Sequence, residues 1–249
     1  MQKYQLFEMK RPEIEAALAA GFDTAIATFG STEQHGLHLP MGTDSIWGEA
    51  LGLEVAKALG NALQAPGLRI GCSEHHMDFA GSLTLSDETF YLVVEDTCRS
   101  LARHGFKHIV LIPTHGGNFR PIEAAAERIR KLLPDVNIID YSDLMSFMTV
   151  MFGVAAEFGF TPEHTGAHAG ENETSLIMAL RPELVDMSVA EAGFVGDHLA
   201  LAPTIMKDGF IGVTHNGVLG DPAGARPDIG EAYLKAMTED IVDHVKRNR

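Results

Sequence analysis

The stretch Glu33-Gln34-His35-Gly36-Leu37-His38-Leu39-Pro40-Met41-Gly42-Thr43-Asp44 gathers two carboxylates and two imidazoles into twelve residues. Carboxylate oxygen and neutral imidazole nitrogen suit zinc, manganese or ferrous iron. A structural zinc site would normally use cysteine, and this stretch has none. The chemistry such a donor set supports is hydrolysis by metal-activated water. A lone Glu-x-His would read as polar loop, but three further clusters accompany this one. These are Ser73-Glu74-His75-His76-Met77-Asp78-Phe79, Thr114-His115-Gly116-Gly117-Asn118, and Gly166-Ala167-His168-Ala169-Gly170-Glu171-Asn172-Glu173-Thr174-Ser175.

Each cluster needs an element to position it. The apolar run 24–29 reads as a buried strand that Gly30-Ser31 ends just before Glu33. On extended backbone Glu33 and His35 share a face, and Gly36 and Pro40 bend the chain so that Asp44 can return and bridge two ions. A second buried run, 109–112, leads to His115 and opens onto a helix at 121–133. The His168 segment enters another helix, where acidic residues can be simple first-turn caps. That accounts for one of Glu171 and Glu173, and geometry alone does not separate them.

Periodicity predicts helices at 12–20, 46–59, 87–104, 121–133, 174–180 and 228–246, interleaved with short β-rich runs. Ser86 is positioned to cap the third helix and Gly105 to end it. The alternation predicts an α/β fold: one domain over 1–249, with a mostly parallel sheet flanked by helices on both faces and ligands collected beyond the strand ends.

Composition agrees. The chain has 249 residues, 45% of them hydrophobic, and no linker-like stretch divides it. Nineteen Lys and Arg against 34 Asp and Glu give a net charge of −15, which disfavours nucleic acid or anionic membrane as a partner. Cys72 and Cys98 are too few for a disulfide framework, no apolar run approaches a membrane span, and the first eleven residues have no signal core. A cytoplasmic location is expected.

Taken together, the signature at 33–44, His76-x-x-Phe79-x-Gly81, His115-Gly116-Gly117-Asn118, the 168–175 motif and Gly217-Val218-Leu219-Gly220-Asp221-Pro222 resemble the creatininase (creatinine amidohydrolase) family of metal-dependent hydrolases. The resemblance covers nearly the whole chain. It implies a creatininase-like fold, a homo-oligomer (a hexamer in that family), and two divalent ions per chain, with Glu33, His35, Asp44 and His115 as ligands and Asp44 bridging. His168 and Glu173 carry over as catalytic or supporting groups. Creatinine-hydrolysing members take their last metal carboxylate from the position that is Gly117 here. Glu171 is the expected replacement. A second departure is Pro113-Thr114, where the family often has Asn-Gly.

The expected reaction is hydrolysis of the C–N bond of a small polar cyclic amide or formamide. His168, oriented by a carboxylate such as Glu173, would carry the proton to the leaving nitrogen. Creatinine itself is disfavoured, because its relatives cover the ring with tryptophans near the His168 motif and the one tryptophan here is Trp47. His38, His76 and Asn118 are the expected substrate contacts, with His75, Asn216 and Asp221 as further members of a polar pocket. One alternative is ring-opening C–C hydrolysis of a carbocyclic diketone such as a dehydro-inosose. The other is a non-catalytic metal- or ligand-binding module.

Overall fold

A computed structural model describes residues 2–249. In chain order its elements are α1 (Arg11–Ala19), β1 (Thr24–Phe29), α2 (Thr43–Leu59), β2 (Ala62–Gln64), α3 (Asp87–Arg103), β3 (His108–Pro113), α4 (Phe119–Leu132), β4 (Asn137–Asp140), α5 (Leu144–Glu157), α6 (Pro162–Thr165), α7 (Glu171–Leu180), α8 (Ala202–Asp208) and α9 (Pro227–Arg247). The run 24–29 forms β1 because every one of its side chains is buried, as a strand covered on both faces requires. The four strands are parallel in the order β2-β1-β3-β4, with Thr24 opposite His108 and Phe29 opposite Pro113.

Alternate side chains divide the core into two layers. Ala25, Ala27, Phe29, Ile109 and Leu111 pack with α1, α3 and α4 on one face, and Ile26, Val110 and Ile112 pack with α2, α5 and α9 on the other. Strand order therefore reverses at the β1/β3 pair, where adjacent connections leave in opposite directions. Their carboxyl ends frame the crevice in which this class of fold collects ligands.

Ser86 caps α3 as predicted, its Oγ accepting from Thr89 N at 3.3 Å, and Gly105 follows the helix at φ 100°. Three departures matter more. α2 begins at Thr43, so Asp44 lies in its first turn, and α7 begins at Glu171, so both glutamates are helical. Helix α5 lies outside every predicted helix. Its sequence LMSFMTVMFGVAAE is apolar except for Ser146, Thr149 and Glu157, so its exposed face carries too few polar residues to mark a 3.6-residue period.

Asn118 ties the two strand ends together. Its amide donates to the carbonyls of Phe29 and Gly30, both at 3.0 Å, and its Oδ1 accepts from Cys72 N at 2.9 Å. The side chain is fully buried and its bonding groups face backbone, which corrects the expectation that it contacts substrate. Asn118→Ala should cost about 2–4 kcal/mol, since buried backbone groups lose their partners. Urea unfolding checks this.

Candidate metal centre

Glu33 and His35 follow β1, and both are fully buried. The loop after them closes through Glu33 N donating to Met41 O at 2.9 Å, with Gly36 at φ 66°. That closure brings Asp44 back on the first turn of α2, whose amino end favours a carboxylate. His115 follows β3. Glu173 reaches in from α7.

The hydrogen bonds settle which imidazole nitrogens are free. His35 Nδ1 lies 3.1 Å from the carbonyl of Glu33, an acceptor only, so Nδ1 carries a proton and Nε2 is the nitrogen left to take a cation or a second proton. That Nε2 faces Asp44 Oδ1 at 3.3 Å and Glu173 Oε2 at 3.7 Å. In His115 the Nε2 donates to Cys72 O at 3.2 Å, and Nδ1 faces Glu33 Oε1 at 3.1 Å and Asp44 Oδ2 at 3.3 Å. Asp44 thus offers one oxygen to each group.

Lone pairs meeting at such distances repel unless something positive lies between them. Both oxygens of Glu33 and Oδ2 of Asp44 are buried with no hydrogen-bond donor. The spacing fits a cation, because donors about 2.0–2.1 Å from a tetrahedral ion lie roughly 3.3 Å apart. These contacts gather Glu33, Asp44 and His115 about one point and His35, Asp44 and Glu173 about another, and donor atoms also lie within 4.8 Å of one another in the groups Glu33, His35 and Asp44; Glu33, His76 and His168; and His35, His168 and Glu173. Without a cation a proton serves instead. Burial alone would depress the pKa of His115, but Glu33 and Asp44 outweigh burial and push it to about 10. His35 is likewise raised well above its ordinary value by Asp44 and Glu173, against its own burial. The carboxyls of Glu33 and Asp44 are held low by the same imidazoles, also against burial.

Glu171 is not part of this cluster, which corrects its expected place in the metal shell. Its oxygens accept from Ser175 Oγ and from Tyr233 OH, each at 2.7 Å, and this bonds α7 to α9. The reason is helical geometry: residues two apart are about 200° apart around the axis, so Glu171 and Glu173 face opposite sides. Gly117 is also explained. A Cβ there would collide with the Cys72 carbonyl and His115 Nε2, so this position holds no ligand.

His168 is held by Gln34 rather than by Glu173. Its Nε2 donates to the Gln34 carbonyl at 2.6 Å, which leaves Nδ1 bare, 3.8 Å from Glu33 Oε1. Burial and the neighbouring His35 lower its pKa, favouring the neutral base. Main-chain pairing of His168 with Leu219 gives the 217–222 turn its role, which is to fix this histidine's backbone. His76 is buried behind Glu33, with Nε2 3.2 Å from Oε1 and Nδ1 3.1 Å from Gln34 Nε2. His38 donates to Thr174 Oγ1 at 2.9 Å. Neither lines the cavity beside Glu173, and His76 stands with Glu33 and His168 in a group whose donor atoms could hold a metal ion.

Beside Glu173 lies a cavity of about 130 Å³. Trp47, Phe119, Phe147, Met148 and Met151 wall it, and His38, His75, His76, Asn118, Asn216 and Asp221 are absent from its lining. The expected polar pocket is replaced by a mostly apolar one, with Thr114, Asn172, Glu173 and His198 as its polar members, because helix α5 supplies much of the wall. Gln34, Trp47 and His198 were also missing from the expected site. Gln34 lies inside the signature, and Trp47 sits three residues after Asp44 on one helix face, but His198 follows no spacing rule.

Residues 7–245 match the creatininase family, described as creatinine amidohydrolase. The chain is 28% identical over 238 residues to a mycofactocin precursor peptide peptidase of Mycobacterium ulcerans (strain Agy99), covering 92% of this chain and 87% of that one. It is 33% identical over 194 residues to a creatinine amidohydrolase of Pseudomonas putida, covering 72% and 73%. The solved structure of a mutant creatininase of the Zn-Zn type superposes with a TM-score of 0.80 at 27% identity, covering 99% of this chain and 98% of the other.

Two measurements test the donor sets. Glu173→Gln should reduce the bound divalent metal by about one ion per chain, since a neutral amide is a poorer ligand, whereas Glu171→Gln should keep the metal and lose about 1–2 kcal/mol of stability. Metal analysis that finds the reverse would exchange the two roles. Metal uptake should also release protons: at about pH 8, zinc added to metal-free protein should displace about one proton each from His35 and His115, and affinity should fall as pH is lowered. Calorimetry in buffers of different ionisation enthalpy measures the release.

Proposed function

The chain belongs to the creatininase family of metal-dependent hydrolases, and we propose that it hydrolyses an amide C–N bond at a centre of two divalent ions. The observation that carries this reading is the convergence of His35 Nε2 and His115 Nδ1 on the carboxylates of Glu33, Asp44 and Glu173, with both oxygens of Glu33 and Oδ2 of Asp44 buried and without a hydrogen-bond donor. Glu33, Asp44 and His115 would hold one ion and His35, Asp44 and Glu173 the other, with zinc, manganese or ferrous iron all suited to the donors. Bound there, the ions lower the pKa of water and polarise the scissile carbonyl.

His168 Nδ1 takes the proton that water gives up and returns it to the leaving nitrogen. The products are a carboxylate and a protonated amine, and no reactant besides the amide and one water is consumed. The Gln34 carbonyl keeps the imidazole in the tautomer that can do this. An apolar cavity beside Glu173 favours an amide carrying an apolar group, as in a peptide, over a small polar ring. The same lining disfavours ring-opening of a polyhydroxylated diketone, which would bring hydroxyls against aromatic and methionine side chains.

We further propose a homo-oligomer, in keeping with exposed Phe7 and Met206, at 85% and 74% accessibility. A cytoplasmic location fits two buried, unpaired cysteines. Among the described residues no helix is long and apolar enough to cross a membrane.

Zinc- or manganese-loaded protein should hydrolyse members of a panel of blocked dipeptide amides and cyclic amides, and a chelator should abolish turnover. His168→Asn should keep its metal while losing roughly 10²–10⁴-fold in kcat. Loaded protein inert towards every amide, or a His168→Asn variant as active as the native chain, would overturn the reading.

A further inference from the structure

The cavity beside Glu173 is mostly apolar; of its polar side chains Thr114 donates to the Asp44 carbonyl and Asn172 and Glu173 accept from backbone amides, whereas two buried ones have hydrogen-bonding atoms with no partner. Trp47, on α2 three residues after Asp44, is 2% exposed, and its indole N–H meets no acceptor. His198 comes from the segment before α8 and is 8% exposed, and apart from an approach to the Gly196 backbone neither Nδ1 nor Nε2 has a hydrogen-bond partner of good geometry. Both line the same cavity. Buried polar groups of this kind are normally paired, and each one left unpaired destabilises the fold. Packing explains the placement of the rings but not the unpaired nitrogens. Trp47 lies 6.0 Å from Phe147, and His198 stands edge-on to Phe152 at 5.7 Å. Burial lowers the pKa of His198, against the opposing influence of the Gly196 carbonyl, Asp197 and Glu163, so the ring offers one donor and one acceptor.

We infer that this cavity is the enzyme's specificity pocket and that Trp47 and His198 read a single hydroxyl at the end of a ring-sized apolar substituent of the substrate. The inference rests on the proposed amide hydrolysis for the word substrate, but the pocket's chemistry stands apart from it. A hydroxyl accepts from the indole N–H and exchanges a bond with neutral imidazole, whereas a carboxylate could only accept. The volume suits one ring, since a cavity of roughly 150 Å³ holds benzene. A phenolic side chain combines the required body and terminus.

The sole tryptophan of the chain lines the cavity, so its fluorescence reports occupancy without turnover. Metal-loaded protein titrated with p-cresol and with toluene should show saturable changes in Trp47 emission, with p-cresol binding about tenfold tighter. His198→Phe keeps an aromatic ring at the site and should bring the ratio close to one. Blocked dipeptide amides that differ only as Tyr against Phe should show the same preference in kcat/KM, lost in the same variant. Equal binding of the two probes, no response of Trp47 to either, or an unchanged ratio in His198→Phe would overturn the inference. Preferred p-cresol binding without hydrolysis of any amide would leave the pocket standing and sink the proposed reaction. Hydrolysis of amides with no preference for the phenol would do the opposite.

Discussion

The need for positive charge, supplied by a cation or by protons, among the oxygens of Glu33 and Asp44 and the facing nitrogens of His35 and His115 is the constraint to which the rest of the structure answers. Groups of this kind do not gather in a dry interior unless such charge compensates them, and the surrounding chain is arranged to prevent their escape. The Cys72 carbonyl fixes the ring of His115, and the Glu33 carbonyl fixes that of His35. Ser73 Oγ lies 3.2 Å from His115 Nε2 and 2.5 Å from Ser31 Oγ, which continues the polar shell back to the end of β1. Outer partners of this type orient donor atoms before any ion arrives.

The parallel sheet is what makes that shell possible. Adjacent strands β1 and β3 deliver their following loops to one edge, and Asn118 locks those loops by bonding across both. Helix α2 then returns Asp44 from one side and α7 brings Glu173 from another. A donor set drawn from four separate elements is rigid only because each element is anchored in a close-packed layer. Helix α7 is anchored to α9 through Glu171, Ser175 and Tyr233, so a carboxylate expected to hold metal instead fixes the helix that presents the neighbouring carboxylate.

Strands 24–29 and 109–112, the helices that flank them, and the clustering of Glu33, His35, Asp44, His115 and His168 were legible because each depends on local period or on spacing within one motif. The choice between Glu171 and Glu173 was not, since it turns on where α7 begins. Three residues of difference in the helix start decide which carboxylate faces inward. Asn118 looked functional because it adjoins His115, yet the backbone groups it satisfies lie 46 to 89 positions away in sequence. Helix α5 lacked an amphipathic signature, and with it went the apolar character of the cavity. Period and motif carry information about neighbours in sequence, and a pocket wall assembled from Trp47, Phe147 and His198 has no such neighbours.

The arrangement separates what must be invariant for the chemistry from what can vary. The donors and His168 are held by strand ends, by the first turns of α2 and α7, and by backbone carbonyls that any side-chain change would leave in place. Much of the cavity wall comes from α5 and the segment around His198, which contribute nothing to the donor sets. Substitutions there alter the volume and polarity of the pocket while the centre keeps its geometry. A fold organised in this way can move between substrates by changing one helix and one loop, so identity in the metal motifs fixes the reaction class and leaves the substrate to be read from the wall.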